Sequence, residues 1–385
     1  QNNKPLVRPR PIAGAILNEE ETYEPLADPE PDLPLTLDIL GETQPEQSAQ
    51  RFDPEVLAEI TAAIQQTVSR ISKIELVPLG DPIVGMSAIL LNFEPKDHFK
   101  SLKSLTELTK DLSVATNREK VRIDISTGVK VELSLTNEER EYVPILPLLE
   151  EVAEVDVEAA PQYLIGRTQD RAPYQLDVDS ALHLLVGGST GGGKSVLLHS
   201  IIWGLIFRYP PSRVRLVLYD RKGEEFAHYR SLPHLWQPII TNEGGFHRML
   251  ENVTAELNRR IEVRKADPYA SFTWLIVIMD EFRGLTNDAF VEFTSMARSY
   301  QIRVILGTQR ADKESISTRV KQNLGTNIAL KVRDHRESQL IIGNSAAEDL
   351  LMWGDCLVHS AKGLERIQVG NVTKDDLMLL REALR

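Results

Sequence analysis

The residues Gly188-Ser189-Thr190-Gly191-Gly192-Gly193-Lys194-Ser195 fit the pattern G-x-x-x-x-G-K-[ST]. Glycines at this spacing let successive backbone N–H groups converge on phosphate oxygens, and a helix starting at the lysine adds its partial positive charge. Lys194 is placed to reach β- and γ-phosphates, and the Ser195 hydroxyl to bind Mg²⁺. A second group, Asp280-Glu281, closes the apolar run Leu275-Ile276-Val277-Ile278-Met279 and lies 86 residues after Lys194. Asp280 is the candidate for holding Mg²⁺ through its water shell, and Glu281 for polarising an attacking water. Gln309, with Thr308 as second choice, follows the apolar run Ile302 to Leu306 and is the candidate γ-phosphate sensor. Together these point to ATP as ligand, Mg²⁺ as cofactor and hydrolysis as the reaction.

Such groups need rigid elements behind them. Leu182 to Val186 reads as a strand before the glycine loop and Val196 to Arg208 as a helix after it, the context the pattern requires. Strands and helices alternate through 156–385, which predicts a parallel sheet with helices on both faces. Residues 55–155 read as a small α+β domain of order α-β-β-α-β-β. Val56, Ile60, Ile64, Val68 and Ile71 recur at helical spacing after Asp53-Pro54, and a second helix is expected over about 98–112. Residues 1–54 hold 9 of the 21 prolines among acidic clusters. They predict a flexible, disordered acidic linker, because prolines remove donors and like charges repel.

Composition narrows the function classes. Hydrophobic residues make up 42% and charged residues 26% of 385 positions, enough for more than one core. The lone Cys356 excludes an intrachain disulfide and any cysteine-rich metal site. No run reaches the roughly 18 apolar residues that span a bilayer. The net charge of −12 divides into −7 for 1–54, −6 for 55–155 and +1 for 156–385. A basic path through the near-neutral C-terminal part is therefore compatible with an acidic chain.

Beyond the phosphate loop, the chain resembles the FtsK/SpoIIIE family of DNA translocases over about 165–370. His183-Leu184-Leu185-Val186 with the loop is similar to that family's P-H-L-L-V-A-G entry, and Leu218-Tyr219-Asp220-Arg221-Lys222 to its D-P-K element. Leu232-Pro233-His234-Leu235, Ile239-Ile240-Thr241, Glu256-Leu257-Asn258-Arg259-Arg260, Gly307-Thr308-Gln309-Arg310 and Gly354-Asp355 resemble further family segments. The resemblance implies a RecA-like P-loop ATPase motor that assembles as a hexameric homo-oligomer around double-stranded DNA and translocates it. It also implies a cytoplasmic location, with a membrane tether only through a segment upstream of Gln1.

Three departures qualify the resemblance. Gly325-Thr326-Asn327-Ile328-Ala329-Leu330 stands where the family reads P-T-R-I-A-F, so Asn327 replaces the arginine expected to act in trans. Arg333 and Arg336 on the adjoining segment are the substitutes. Glu337-Ser338-Gln339 replaces D-S-R, and no winged-helix module follows within this chain. Lys362 and Arg366, flanking Gly363, are candidate DNA contacts, with Lys313, Arg319 and Lys321 next. Two other functions fit the same motor: a transport ATPase of a secretion or conjugation system, and a slow nucleotide-gated scaffold.

Overall fold

The computed structural model describes residues 34–40, 52–97, 101–126, 128–136, 139–156, 158–281, 288–309 and 318–384. The first core is built from α1 (Pro54–Ser72), β1 (Leu76–Pro78), β2 (Ile83–Val84), β3 (Ala88–Pro95), α2 (Thr109–Thr116), β4 (Val121–Asp124) and β5 (Val129–Ser134). Asp53 caps α1 by accepting from the Glu55 N–H, and Pro54 takes the first position, where no N–H is needed. Ile60, Ile64 and Val68 bury one face, whereas Val56 and Ile71 at the ends of the stripe are exposed. The strands pair antiparallel in the order β1-β3-β5-β4, with the short β2 added at β3. The second helix differs from the sequence expectation: Lys103–Leu108 is a 3-10 turn, and the α-helix begins only at Thr109. Residues 98–100 lie outside the described part.

The second core continues with β6 (Val143–Pro144), α3 (Ile145–Glu151), β7 (Gln162–Thr168), β8 (Pro173–Asp177), α4 (Val178–Ala181), β9 (His183–Gly187), α5 (Lys194–Ile206), β10 (Val214–Asp220) and α6 (Glu243–Ala266). Then come β11 (Trp274–Asp280), α7 (Asp288–Ala297), β12 (Ile302–Thr308), α8 (Thr318–Asn323), β13 (Leu324–Leu330), α9 (His335–Ile342), β14 (Asp355–Ser360), β15 (Gly363–Asn371) and α10 (Lys374–Ala383). The strand order is β10-β11-β12-β9-β13-β14-β15-β7-β8. The first five run parallel and the remainder pair antiparallel. Every residue of β9 to β12 is buried, as expected for strands covered on both faces.

α5 is apolar nearly all round because it lies inside the fold. A Cβ on its Gly204 would come within 2.4 Å of the Leu164 side chain, so glycine there permits the helix to seat on β7. β9 sits between β12 and β13, where the strand order reverses, and ligands of such sheets bind beyond the strand ends at that point. The half from β10 to β13 is the parallel sheet expected from the alternating pattern; β14, β15, β7 and β8 extend it with antiparallel strands.

Packing does not follow the sequence boundary at 155. β6 and α3 join the second core, where β6 pairs with β15 and Val143, Ile145 and Leu148 pack with β7 and α5. Of the expected flexible segment 1–54, residues 1–33 and 41–51 lie outside the described part. Residues 34–40 lie on the second core: the Leu35 N–H donates to Ile206 O at 3.0 Å, and Leu35 and Leu37 pack against buried side chains.

Candidate functional site

The glycine loop is held from both flanking strands. Gly188 N–H donates to Thr308 O at 3.3 Å, and both the N–H and the hydroxyl of Ser189 donate to Lys331 O at 2.8 Å. Gly191 and Gly193 adopt φ of +79° and +107°, values that L side chains rarely reach. A Cβ on Gly193 would meet Gly354 N at 2.6 Å, so that close approach also demands glycine. Gly193 heads α5 without any side-chain cap, which leaves the first N–H groups of the helix for a ligand.

Lys194 and Asp280 are both buried and form an ion pair. Burial pushes the Asp280 carboxyl above its usual range, and the carboxylates of Glu281 and Asp220 push it further, while Lys194 opposes them. Glu281, one residue past β11, sits at φ +54°, a left-handed conformation that is costly for a side chain of its size. That turn aims its carboxylate back along the loop, where it accepts from Gln309 Nε2 and, at 2.8 Å, from Lys222 Nζ. Gln309 Oε1 in turn accepts from the Thr190 hydroxyl at 3.0 Å. Gln309 thus links the phosphate loop directly to Glu281.

Lys222 and Glu225 come from the loop after β10, for which the sequence showed a D-x-K element but no role. Asp220, buried at the end of β10, pins that loop: its carboxylate accepts from the N–H groups of Lys222, Glu225 and Phe226 at 3.0, 2.7 and 3.2 Å. The pinned loop brings the Glu225 carboxylate to the Ser195 hydroxyl. Burial raises the Glu225 pKa, the carboxylates of Asp280 and Asp220 add to this, and Ser195 and Lys194 pull it down.

A cavity of about 460 Å³ opens over these groups, within the usual range for a small-ligand site. Ser189, Lys194, Ser195, Glu225 and Gln309 are among its lining residues. The glycine-only approach at Gly193, the uncapped helix and the ion pair that a ligand anion can open all fit a nucleoside triphosphate. The Ser195 hydroxyl and the Asp280 carboxylate are the oxygen donors that Mg²⁺ accepts while keeping several waters.

Other candidates lie elsewhere. Asn327 is on β13, cross-strand from His359, with its Oδ1 buried and unpartnered. Arg333 is exposed and pairs with Glu337 at 2.7 Å, two residues past the carbonyl that holds Ser189; Arg336 is exposed on the first turn of α9. Lys362 is exposed in the turn of the β14–β15 hairpin. Lys321 donates to Leu340 O, Arg319 is exposed on α8, and Lys313 and Arg310 fall outside the described residues.

Arg366 does not occupy the position expected of a DNA contact. Its side chain is 10% exposed, it donates twice to Asp355 at 2.6 and 3.0 Å, and it reaches Glu132 of β5 at 3.4 Å. Strand β15 turns it inward, to the seam between the two sheets.

Comparison with known proteins extends the sequence resemblance. The sequence model described as the FtsK/SpoIIIE family matches residues 148–351, more than half of the chain. DNA translocase FtsK of Helicobacter pylori strain 26695 is 28% identical over 348 residues, covering 83% of this chain and 40% of that protein. DNA translocase FtsK of Staphylococcus epidermidis RP62A is 29% identical over 306 residues, covering 71% and 38%. The chain therefore spans about 40% of the length of these relatives. Among solved structures, the conjugation coupling protein TcpA of pCW3, a monomer form with ATPγS, superposes with a TM-score of 0.56 at 17% identity, covering 84% of this chain and 98% of that one. The cytoplasmic domain of the type VII secretion ATPase EccC from Thermomonospora curvata gives 0.54 at 24% identity, over 63% and 34%. These two likenesses concern the fold. Among the described residues no helix is long and apolar enough to cross a membrane.

Proposed function

We propose, because the chain belongs to the FtsK/SpoIIIE family, that it is an ATP-driven motor that moves double-stranded DNA. The observation that carries this reading is the convergence of Lys194, Asp280, Glu281 and Gln309 on the glycine loop, at the ends of β9, β11 and β12. The triphosphate of ATP takes Lys194 from Asp280, and the N–H groups of the loop and of the first turn of α5 take its oxygens. Ser195 and Asp280 would hold Mg²⁺, which would supply charge neutralisation on the phosphates when bound. Glu281 orients and polarises the attacking water, and Gln309, touching both Thr190 and Glu281, reports whether the γ-phosphate is present. Lys222 holds Glu281 until hydrolysis requires its carboxylate.

The working form is a homo-oligomeric ring, a hexamer as in the family, acting in the cytoplasm where duplex DNA lies. Arg333 and Arg336 are the candidates for a charge supplied across the subunit boundary, since Asn327 cannot supply one. Lys362, exposed on its hairpin, is the candidate phosphate contact. Six copies of one modest charge around a pore give a positive channel even when each subunit is acidic. Displacement of a third strand from linear duplex DNA tests the motor. With ATP and Mg²⁺ the protein is expected to strip it, and Lys194→Ala to leave it in place. ATP turnover without any displacement would favour the nucleotide-gated scaffold instead.

A further inference from the structure

We propose that Trp353 and Tyr142 form the two walls of a seat for the nucleobase of the bound nucleotide. The proposal rests on reading the loop 188–195 as a triphosphate cradle, and it concerns the remaining lining of the same cavity. Beside Lys194, Ser195 and Glu225, the same cavity is lined by Tyr142, Trp353, Gln368, Val369 and Asn371. Aromatic, aliphatic and amide groups of that kind suit a flat heterocycle with an apolar face and a polar edge.

Two observations show that these rings are placed there. Among the described residues three aromatic side chains are exposed, Tyr142, Tyr269 and Trp353, and two of the three line this cavity. The other tryptophans are buried or partly buried: Trp203, Trp274 and Trp236. Second, Trp353 adopts φ +61°, a left-handed conformation that is a strained choice for a bulky residue and that clusters at ligand sites.

That conformation is held on every side. Trp353 N–H donates to Gly191 O at 3.4 Å and Gly354 N–H to Gly192 O at 3.0 Å, so the backbone at Trp353 is tied to the phosphate loop. Gln368 Nε2 donates to Trp353 O at 3.0 Å. Arg140 donates to Met352 O at 2.6 Å and to Gln368 Oε1 at 3.2 Å. The Arg140 guanidinium thus braces the Trp353 wall from both neighbours, Met352 and Gln368.

Stacking on an aromatic face tolerates any base and is worth about fivefold or more in affinity per base. Intrinsic fluorescence and calorimetric titration of the full chain with ATP, GTP and inorganic tripolyphosphate therefore test the seat. ATP and GTP are expected to change the emission of the exposed Trp353, and tripolyphosphate to bind without doing so. Trp353→Ala should weaken ATP and GTP alike by roughly tenfold, with tripolyphosphate affinity unchanged. Trp353→Phe should restore most of the loss, and Tyr142→Ala should act in the same direction. An unchanged ATP affinity in Trp353→Ala overturns the seat and leaves the phosphate cradle standing. An equal loss for tripolyphosphate also overturns it, by showing that Trp353 acts only through the loop backbone. Failure of the wild-type chain to bind either ATP or tripolyphosphate removes the cradle reading and the seat with it.

Discussion

Lys194 pairs with Asp280 at the cavity, and Arg366 pairs with Asp355 at the seam between the sheets; none of the four side chains is more than a tenth exposed. Their surroundings are opposite. Asp280 has the carboxylates of Glu281 and Asp220 nearby, and its carboxyl is held above the ordinary range. For Asp355 burial also pushes upward, but Arg366, the Leu351 N–H and Arg140 outweigh it and hold the carboxyl below that range; the Ser87 hydroxyl donates to it as well, at 3.0 Å. A buried charge that is fully partnered fixes a structure, whereas one left under-compensated beside a cavity is ready to exchange partners. The same ion-pair chemistry thus serves as a joint in one place and as a replaceable stand-in for ligand in the other.

The largest expected effect breaks the cavity side. Lys194→Ala should cut ATP turnover by about a hundredfold or more while the unfolding midpoint stays near wild type, because Asp280 can take a proton in place of its partner. Steady-state turnover with a parallel denaturant titration checks both halves. Turnover at the wild-type rate would remove Lys194 from its role.

Breaking the seam should do the reverse. Arg366→Ala leaves Asp355 buried without its ion-pair partner, while Glu132 keeps Arg122 and Lys130 at 3.7 and 3.6 Å, and should destabilise the fold by about 3–5 kcal/mol. In any preparation that stays folded, affinity for tripolyphosphate should change little. The acid limb sharpens the contrast. A carboxyl with a lowered folded pKa contributes stability above its unfolded value near 3.8, lost as the pH falls through the folded value; Asp355 is such a group. Asp280, with its raised pKa, contributes with the opposite sign: protonation favours its folded state, and stability falls as the pH rises through the raised value. Asp355→Asn should therefore flatten the acid limb of the stability curve, and Asp280→Asn should not.

Much of the cavity was legible in the sequence because its elements are strongly patterned. The strand, glycine loop and helix around Lys194 and the apolar strand ending at Asp280-Glu281 declare themselves by period and by residues with few alternative uses. What escaped notice depends on backbone groups or on burial. Asp220 acts by accepting three N–H groups of its own loop, which no side-chain pattern encodes, and it delivers Lys222 and Glu225 to the cavity. Arg366 reads as a surface cation from the sequence, since β15 shows no clean alternation there; only its cross-strand partner and β5 reveal the inward turn. Of the expected helix over 98–112, residues 103–108 form a 3-10 turn and the α-helix begins at Thr109. Leu105 and Leu108, spaced by three, are served as well by the 3-10 turn, in which they eclipse on the core face.

Smaller effects refine the cavity. Gln309→Ala severs the link from Thr190 to Glu281 and should lower turnover by roughly tenfold to a hundredfold, with ATP affinity retained in a binding titration. Arg333→Ala and Arg336→Ala should each leave binding by isolated subunits intact and slow turnover in assembled rings. Wild-type turnover in both variants would place the trans charge elsewhere. Of the two, Arg333 is expected to show the smaller change, since Glu337 already engages it.

The central claim is that contact with duplex DNA feeds the hydrolytic cycle of this cavity. ATPase activity with and without long linear duplex, at low and at moderate salt, tests it most directly. The account predicts strong stimulation by DNA that weakens as salt rises, the mark of phosphate contacts. Turnover indifferent to DNA at both salt concentrations would contradict it.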